Sequence, residues 1–165
     1  MYVSNYTLRS PTPDDVARCF EIETAAYEGD EAATCEKIAR RVDVYPEGFM
    51  VLETSDGILG FINSGAADRV DMADESFKEL IGHNLAGKHS VILSMVVHPD
   101  YQGWGIASIL MQNFILRMRR LGKDSVQLMC RERYIGLYAK YGFKPLRESL
   151  STHGGLKWHE MELGL

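Results

Sequence analysis

Residues 96 to 107 combine an apolar segment, a short polar turn and two closely spaced glycines. The turn reads Gln102-x-x-Gly105-x-Ala107, with a further glycine at position 103 and a helical pattern after it. The first turn of a helix leaves backbone N–H groups without intrahelical acceptors, and the helix dipole favours an anion there. Glycine has no Cβ, so a ligand can lie directly against its backbone. The pattern therefore predicts a phosphate or diphosphate site.

Two other phosphate-binding motifs fit these residues less well. A P-loop requires Gly-Lys-Ser/Thr, whereas Gly105 is followed by Ile106-Ala107-Ser108. A dinucleotide-binding fingerprint would begin at Gly103. Five residues separate that glycine from the preceding strand, however, and the fingerprint turns directly from strand to helix. Both alternatives are rejected.

A second set of residues suited to chemistry lies further along the chain, in the stretch from Leu137 to Phe143. It reads Leu-Tyr-Ala-Lys-Tyr-Gly-Phe, with the first tyrosine at Tyr138. A phenol has an ordinary pKa of about 10, so it is protonated at neutral pH and can donate a proton. The alternative is that Tyr138 is one more packed aromatic beside Tyr134 and Tyr141. Its place within the motif favours the chemical role.

Together the two motifs closely resemble those of the GNAT superfamily of N-acetyltransferases. That superfamily carries Gln/Arg-x-x-Gly-x-Gly/Ala at its coenzyme A loop and Leu-Tyr-x-x-x-Gly-Phe around its acid. Within it, the chain is most similar to the serotonin (arylalkylamine) N-acetyltransferase branch and its microbial relatives. The segments that carry this finer likeness are Phe20–Glu23, Ala26-Tyr27, Glu75-Ser76, Val126–Cys130 and Trp158–Met161.

The resemblance implies an α/β (α+β) fold that spans residues 1–165 as one domain. Its central sheet would be mixed and mostly antiparallel, with about seven strands, splayed between strands 4 and 5 and flanked by helices. It also implies acetyl-CoA as co-substrate, no metal, and Tyr138 as the acid that protonates the leaving thiolate. The residues expected to bind acetyl-CoA are Met95, Val96, Val97, Gln102, Gly103, Trp104, Gly105, Ile106, Ala107, Ser108, Tyr138 and Lys140.

The general base does not follow from the resemblance. Vertebrate serotonin N-acetyltransferases carry two histidines on the fourth strand, where this chain has Val91 and Leu93. That base mechanism therefore cannot be carried over. An amine could enter already neutral, or one of four side chains could accept its proton. These candidates are His89, Glu23, Glu53 and Glu132.

The acceptor favoured by the sequence is a primary amine of a small molecule, of arylalkylamine or polyamine type. Protein N-terminal and lysine acetyltransferases often carry Asn-x-x-Ala ahead of Leu-Tyr, whereas Arg131 and Tyr134 stand at those positions here. A non-catalytic sensor that binds coenzyme A is the other alternative. The absent histidines permit a sensor, and the retained tyrosine argues against one.

Composition and residue spacing argue against nucleic acid, membranes and metals as partners. The chain has 165 residues and a net charge of −5, with its basic residues scattered, so nucleic-acid binding is not expected. No apolar segment approaches the roughly 20 residues of a membrane span. His153 and His159 lack a third ligand at metal-like spacing. Three cysteines without a CxxC pair, and no signal peptide at the start, indicate a reduced, cytoplasmic protein. The expected state is a monomer or a homodimer, between which the sequence does not decide.

Hydrophobic periodicity predicts the elements that position these residues. The clearest is a helix over 105–121, whose apolar residues recur at helical spacing until Gly122. The segment 90–97 reads as a strand buried on both faces. Residues 64–89 read as a long loop with a short helix at 75–81. The other predicted strands are 6–10, 49–53, 58–63, 125–130, 144–150 and 157–163, and the other helices begin at Thr12 or cover 32–42 and 134–141.

Overall fold

The computed structural model describes all 165 residues, with elements in the predicted order. The strands are β1 (Thr7–Arg9), β2 (Phe49–Thr54), β3 (Gly57–Ala67), β4 (His89–Val97), β5 (Ser125–Cys130), β6 (Lys144–Glu148) and β7 (His159–Gly164). The α-helices are α1 (Val16–Ala26), α2 (Cys35–Val44), α3 (Ile106–Arg120) and α4 (Ile135–Ala139).

The seven strands form one mixed sheet in the order β1-β2-β3-β4-β5-β7-β6. The pairs β1–β2, β2–β3, β5–β7 and β6–β7 are antiparallel, and β4–β5 is parallel. The parallel pair joins only His89–Val91 to Ser125–Gln127, although both strands continue beyond these residues. The predicted α/β fold, with a sheet that opens between strands 4 and 5, is confirmed.

The chain divides into two compact units. One comprises Met1–Ser64 with Ser94–Phe114, and the other comprises Gly65–Leu93 with Ile115–Leu165. We call them the N-terminal unit and the C-terminal unit. Strand β4 and helix α3 each contribute residues to both.

Helices α1 and α2 form the helical layer of the N-terminal unit. As predicted, Thr12 starts the first helical segment: its backbone N–H donates to Asp15 in a capping box, and a 3-10 turn then leads into α1. Helix α2 begins later than predicted because the Thr34 hydroxyl caps it, accepting from the Lys37 N–H. It ends just before Tyr45-Pro46, since the residue before a proline disfavours helix.

The core of the N-terminal unit is apolar and tightly packed. The Phe49 and Phe61 rings lie 5.5 Å apart between centroids. Burying a side chain of this size contributes about 1.5–3 kcal/mol relative to leaving it exposed. The buried members are Cys19, Ile22, Ile38, Val42, Phe49, Val51, Ile58, Phe61 and Val96.

The C-terminal unit corrects one predicted boundary. Strand β3 continues to Ala67, whereas the sequence predicts a loop from residue 64. Small residues occupy this end because neighbours approach closely: a Cβ on Gly65 would lie 2.7 Å from the Phe77 ring. The short helix predicted at 75–81 is a 3-10 helix, Glu75–Glu79. Lys123 holds the loop by donating to the Leu85 and Gly87 carbonyls.

Two further expectations need correction. Strand β4 is not buried on both faces throughout, because Met95 and Val97 remain half-buried. Helix α4 spans only Ile135–Ala139, shorter than predicted, since a 3-10 turn precedes it and Gly142 follows in the left-handed region at φ +100°. Glycine is the residue that adopts this conformation without steric cost.

Candidate functional site

The loop before α3 lies in the N-terminal unit and depends on two left-handed glycines. Gly103 has φ +83° and Gly105 has φ +80°, a region that L-residues adopt at a cost. Nothing lies within 4 Å of where a Cβ would stand at either position. The two glycines therefore meet a conformational requirement, and their exposed backbone is open to a ligand.

No backbone carbonyl accepts a hydrogen bond from the N–H groups of Gly103 to Ser108. The first helical bond of this region is donated by Ile109 to the Gly105 carbonyl. Helix α3 has 15 residues, and its dipole adds to the positive potential at this end. The side chain of Ile106 is buried and anchors the turn. The arrangement can bind an anion such as a diphosphate.

Neighbouring contacts fix the loop. The Val3 N–H donates to the Trp104 carbonyl, 3.3 Å away. The Tyr101 and Trp104 rings meet edge to face at 5.1 Å, and the His98 ring contacts Tyr101 at 6.0 Å. The loop is therefore held in one conformation by its own aromatic residues and by the N-terminal segment.

The end of β4 lies beside this loop in the sequence and in the same unit. The Tyr27 hydroxyl donates to the Met95 carbonyl at 3.0 Å, and the Gln102 amide donates to the Val97 carbonyl at 3.2 Å. Each carbonyl retains a second lone pair. The side chain of Val96 is buried. Of the predicted acetyl-CoA residues, those from positions 95–97 and 102–108 thus share one unit.

Tyr138 and Lys140 lie in the C-terminal unit. The Tyr138 side chain is half-buried, with its ring edge against Phe143. Burial raises the pKa of Tyr138, and the nearby ionisable groups of Cys130 and Tyr134 raise it further. The phenol is therefore protonated throughout the neutral and mildly alkaline range. Lys140 is exposed just after α4.

Cys130 in the same unit is poorly suited to act as a nucleophile. It is 3% exposed, and its sulfur contacts the Met161 sulfur at 3.6 Å. Burial raises the pKa of the thiol to about 11, so the reactive thiolate is scarce at neutral pH.

The four candidate bases have different surroundings. The His89 Nδ1 is 2.7 Å from the Ser125 hydroxyl at the start of the paired part of β4 and β5. Glu53 forms an ion pair with Arg9 at 2.7 Å, and that bond lowers its pKa. Glu132 is exposed in a 3-10 turn. Glu23 is the only one of the four that is buried.

Glu23 belongs to a buried polar cluster, which we define as Glu23 of α1, Arg41 of α2, Asn63 of β3 and Ser94 of β4. The Ser94 hydroxyl donates to Glu23 Oε1 at 2.9 Å. Arg41 Nη1 donates to both Ser94 Oγ and Asn63 Oδ1 at 3.3 Å. Burial lowers the pKa of Arg41 to about 10, so the guanidinium still carries its charge at neutral pH.

Sequence reasoning missed Arg41 and Ser94 as members of any site. In the sequence, Arg41 is one of the scattered basic residues. The burial of Arg41 is predictable from its spacing, because Ile38, Arg41 and Val42 recur at i, i+3 and i+4, which places them on one face of α2. Ser94 gave no such signal, since a single hydroxyl within an apolar strand is compatible with many roles.

Two further features would indicate other partners, a helix that could span a membrane and a cluster of side chains that could bind a metal ion. None of its helices combines the length and apolarity that crossing a membrane requires. No three His, Cys, Asp or Glu side chains are grouped so that they could hold a metal ion.

Comparison with known proteins places these features in context. The sequence model of the acetyltransferase (GNAT) family matches residues 15–143. The serotonin N-acetyltransferase of Mesocricetus auratus is 25% identical over 165 residues, covering 95% of this chain and 76% of the relative. The uncharacterized N-acetyltransferase ycf52 of Porphyra purpurea is 30% identical over 74 residues, 42% of each chain. The loading GNATL domain of CurA from Lyngbya majuscula superimposes with a TM-score of 0.87 at 20% identity, covering 98% of both chains.

Proposed function

This chain is an N-acetyltransferase of the acetyltransferase (GNAT) family, and on that premise we propose that it acetylates the primary amine of a small molecule, of arylalkylamine or polyamine type. The observation that carries the acetyl-CoA part of the proposal is the row of N–H groups from Gly103 to Ser108 at the start of α3, none of which donates to a backbone carbonyl. The relative named for serotonin supports a small amine as acceptor. The proposal covers residues 1–165 as one domain, acting in the cytoplasm as a monomer or homodimer.

Acetyl-CoA would bind through backbone groups in this account. The N–H groups from Gly103 to Ser108 hold the diphosphate, with the α3 dipole adding to the attraction. The pantetheine arm carries amides, so it can pair with Met95, Val96 and Val97 as an added strand would. Gln102 and Trp104 support the loop, and Lys140 is a further residue proposed to bind acetyl-CoA. Since backbone atoms dominate, truncating one side chain here costs little.

Acetyl transfer is proposed to proceed by direct attack. The neutral amine attacks the thioester carbonyl, and a C–N bond forms as the carbonyl oxygen becomes an oxyanion. When the C–S bond breaks, the thiolate takes the phenolic proton of Tyr138. The raised pKa of this tyrosine keeps the proton available until the thiolate leaves. Direct attack needs no acyl-enzyme, which agrees with the buried thiol of Cys130.

The acceptor is identified by measuring release of coenzyme A thiol from acetyl-CoA with a panel of amines. The panel contains arylalkylamines, polyamines, a lysine-containing peptide and a peptide with a free N-terminus. We expect release that depends on an arylalkylamine or a polyamine. Release with peptides alone would replace this proposal by a protein acetyltransferase. Binding of coenzyme A without release by any amine would support the sensor.

A further inference from the structure

The buried polar cluster contains a carboxylate with hydrogen-bond partners at only one of its two oxygens. Oε1 of Glu23 accepts from the Ser94 hydroxyl at 2.9 Å and from the Ala33 N–H at 3.2 Å. Oε2 is buried and has no hydrogen-bond partner. The charge of Arg41 reaches this carboxylate by way of Ser94, because the guanidinium donates to the Ser94 oxygen. A buried, partly satisfied carboxylate has a raised affinity for a proton.

The hydrogen-bond pattern fixes the direction in which the Ser94 hydroxyl points. A guanidinium can only donate, and an ionised carboxylate can only accept. Arg41 therefore occupies a lone pair of Ser94 Oγ, and the hydroxyl hydrogen points toward Glu23. This is the orientation in which a serine can pass its own proton to a carboxylate while it receives another.

The position of Ser94 connects the cluster to the proposed acetyl-CoA site. Ser94 precedes Met95 on β4, where the pantetheine arm is proposed to pair. It keeps 8% of its surface exposed, whereas Glu23 keeps 1%, Arg41 2% and Asn63 0%. Ser94 is the most exposed of the four, so we infer that a reactant reaches the cluster there and that Glu23 acts through its hydroxyl.

We propose that Ser94 and Glu23 form the relay that takes the proton from the attacking amine, with Arg41 holding the serine in its donating orientation. The inference rests on the proposed function, since it needs an amine and acetyl-CoA. It supplies the proton acceptor that the sequence leaves open because Val91 and Leu93 replace the histidines of the serotonin enzymes.

The relay balances in protons and charge. After the amine attacks, the N–H bond of the tetrahedral intermediate breaks and its proton forms a new bond to Ser94 Oγ. The original Ser94 O–H bond breaks at the same time, and that proton forms a bond to Glu23 Oε1. The serine ends unchanged, the carboxylate ends neutral, and the nitrogen loses its positive charge. Exchange with solvent then returns Glu23 to its ionised form.

The proposed relay predicts an acid limb in the pH dependence of turnover. Burial is the largest influence on Glu23 and raises its pKa. The hydrogen bonds from Ser94 and Ala33 and the charge of Arg41 oppose the rise, and Glu31 adds to it. Cys19 on α1 is neutral, since burial raises its pKa to about 12. The relay works only when Glu23 is ionised. Turnover therefore falls with decreasing pH through an acid limb above the ordinary glutamate pKa of about 4.3.

The relay is tested by kcat against pH for Glu23→Gln, Ser94→Ala and Ser94→Thr, with two amines of different pKa. Where a limb of the pH profile reflects protonation of the amine substrate, its midpoint shifts with the pKa of the amine. The midpoint of the limb that reflects Glu23 stays the same with both amines. We expect Glu23→Gln and Ser94→Ala to lower kcat about 100-fold, and Glu23→Gln to lose the fixed limb. Ser94→Thr keeps a hydroxyl and should stay within about threefold of the parent enzyme.

Glu21→Gln is the matched control, since Glu21 lies on the exposed side of the same helix in an ion pair with Arg18. It should change neither kcat nor the limb. Heat of coenzyme A binding reports whether each variant folds. If Glu23→Gln does not fold, the comparison of kcat between Ser94→Ala and Ser94→Thr tests the relay instead. Unchanged kcat and limb in Glu23→Gln would overturn the relay alone. Absence of amine-dependent turnover in the parent enzyme would overturn the proposed function instead.

Discussion

Tyr138→Phe is expected to lower kcat about 100-fold while acetyl-CoA affinity stays within about twofold. Phenylalanine keeps the ring that contacts Phe143 edge to face, so the local packing is preserved. It removes the one group proposed to protonate the leaving thiolate. An interaction needed only in the transition state lowers kcat and kcat/KM together, without weakening binding. Steady-state kinetics and calorimetric titration with acetyl-CoA separate the two effects.

Tyr134→Phe provides the matched control for this substitution. Tyr134 belongs to the same group of aromatics, is 40% exposed and lies under the Arg133 guanidinium. Loss of its hydroxyl should leave kcat within about threefold of the parent enzyme. A Tyr138→Phe enzyme as active as the Tyr134→Phe control would remove the tyrosine from the mechanism.

Alanine at Gly103 or Gly105 is expected to weaken acetyl-CoA binding about tenfold for each substitution. The left-handed conformation costs an L-residue about 1–2 kcal/mol, and 1.4 kcal/mol corresponds to a tenfold change in affinity. Neither Cβ meets a neighbouring atom, so steric collision contributes nothing in the free protein. The loop relaxes away from the conformation that presents its N–H groups, and binding must restore it. Calorimetric titration measures the change.

Gly155→Ala separates this effect from general loss of stability. Gly155 has φ +71°, nothing lies within 4 Å of its Cβ position, and it belongs to the turn between β6 and β7. The substitution carries a similar conformational cost at a site without a proposed ligand. It should lower the melting temperature as Gly105→Ala does and leave acetyl-CoA affinity unchanged. Equal effects of both substitutions on affinity would contradict the role of the loop.

Most of the fold was predictable because its elements have strong local signals. The capping box at Thr12 and the left-handed glycine at 142 each followed from residue type and spacing. The end of β3 was not predictable from propensity. The small residues Gly65 and Ala67 are typical of a loop, and the close approach of Phe77 and Gly87 explains why this end of the strand has such small residues.

The candidate site was predictable where it depends on backbone geometry. The glycine spacing before α3 predicts backbone that is open to a ligand, and nothing lies within 4 Å of a Cβ position at Gly103 or Gly105. Binding of acetyl-CoA by these residues stays a prediction. The buried polar cluster was not predictable as a unit, because Glu23 and Ser94 are separated by 71 residues in the sequence and meet only through folding. Local patterns report which face of a helix is buried, but not which polar groups meet there.

The central claim is that the N–H groups opening α3 hold the diphosphate of coenzyme A. Calorimetric titration of the folded protein with coenzyme A, and separately with pantetheine, tests it most directly. Pantetheine keeps the amides and the thiol but lacks the diphosphate and the nucleotide. We expect heat of binding with coenzyme A, with a Kd below about 1 mM, and at least about 100-fold weaker binding of pantetheine. No heat with coenzyme A, or equal affinity for the two compounds, would contradict it.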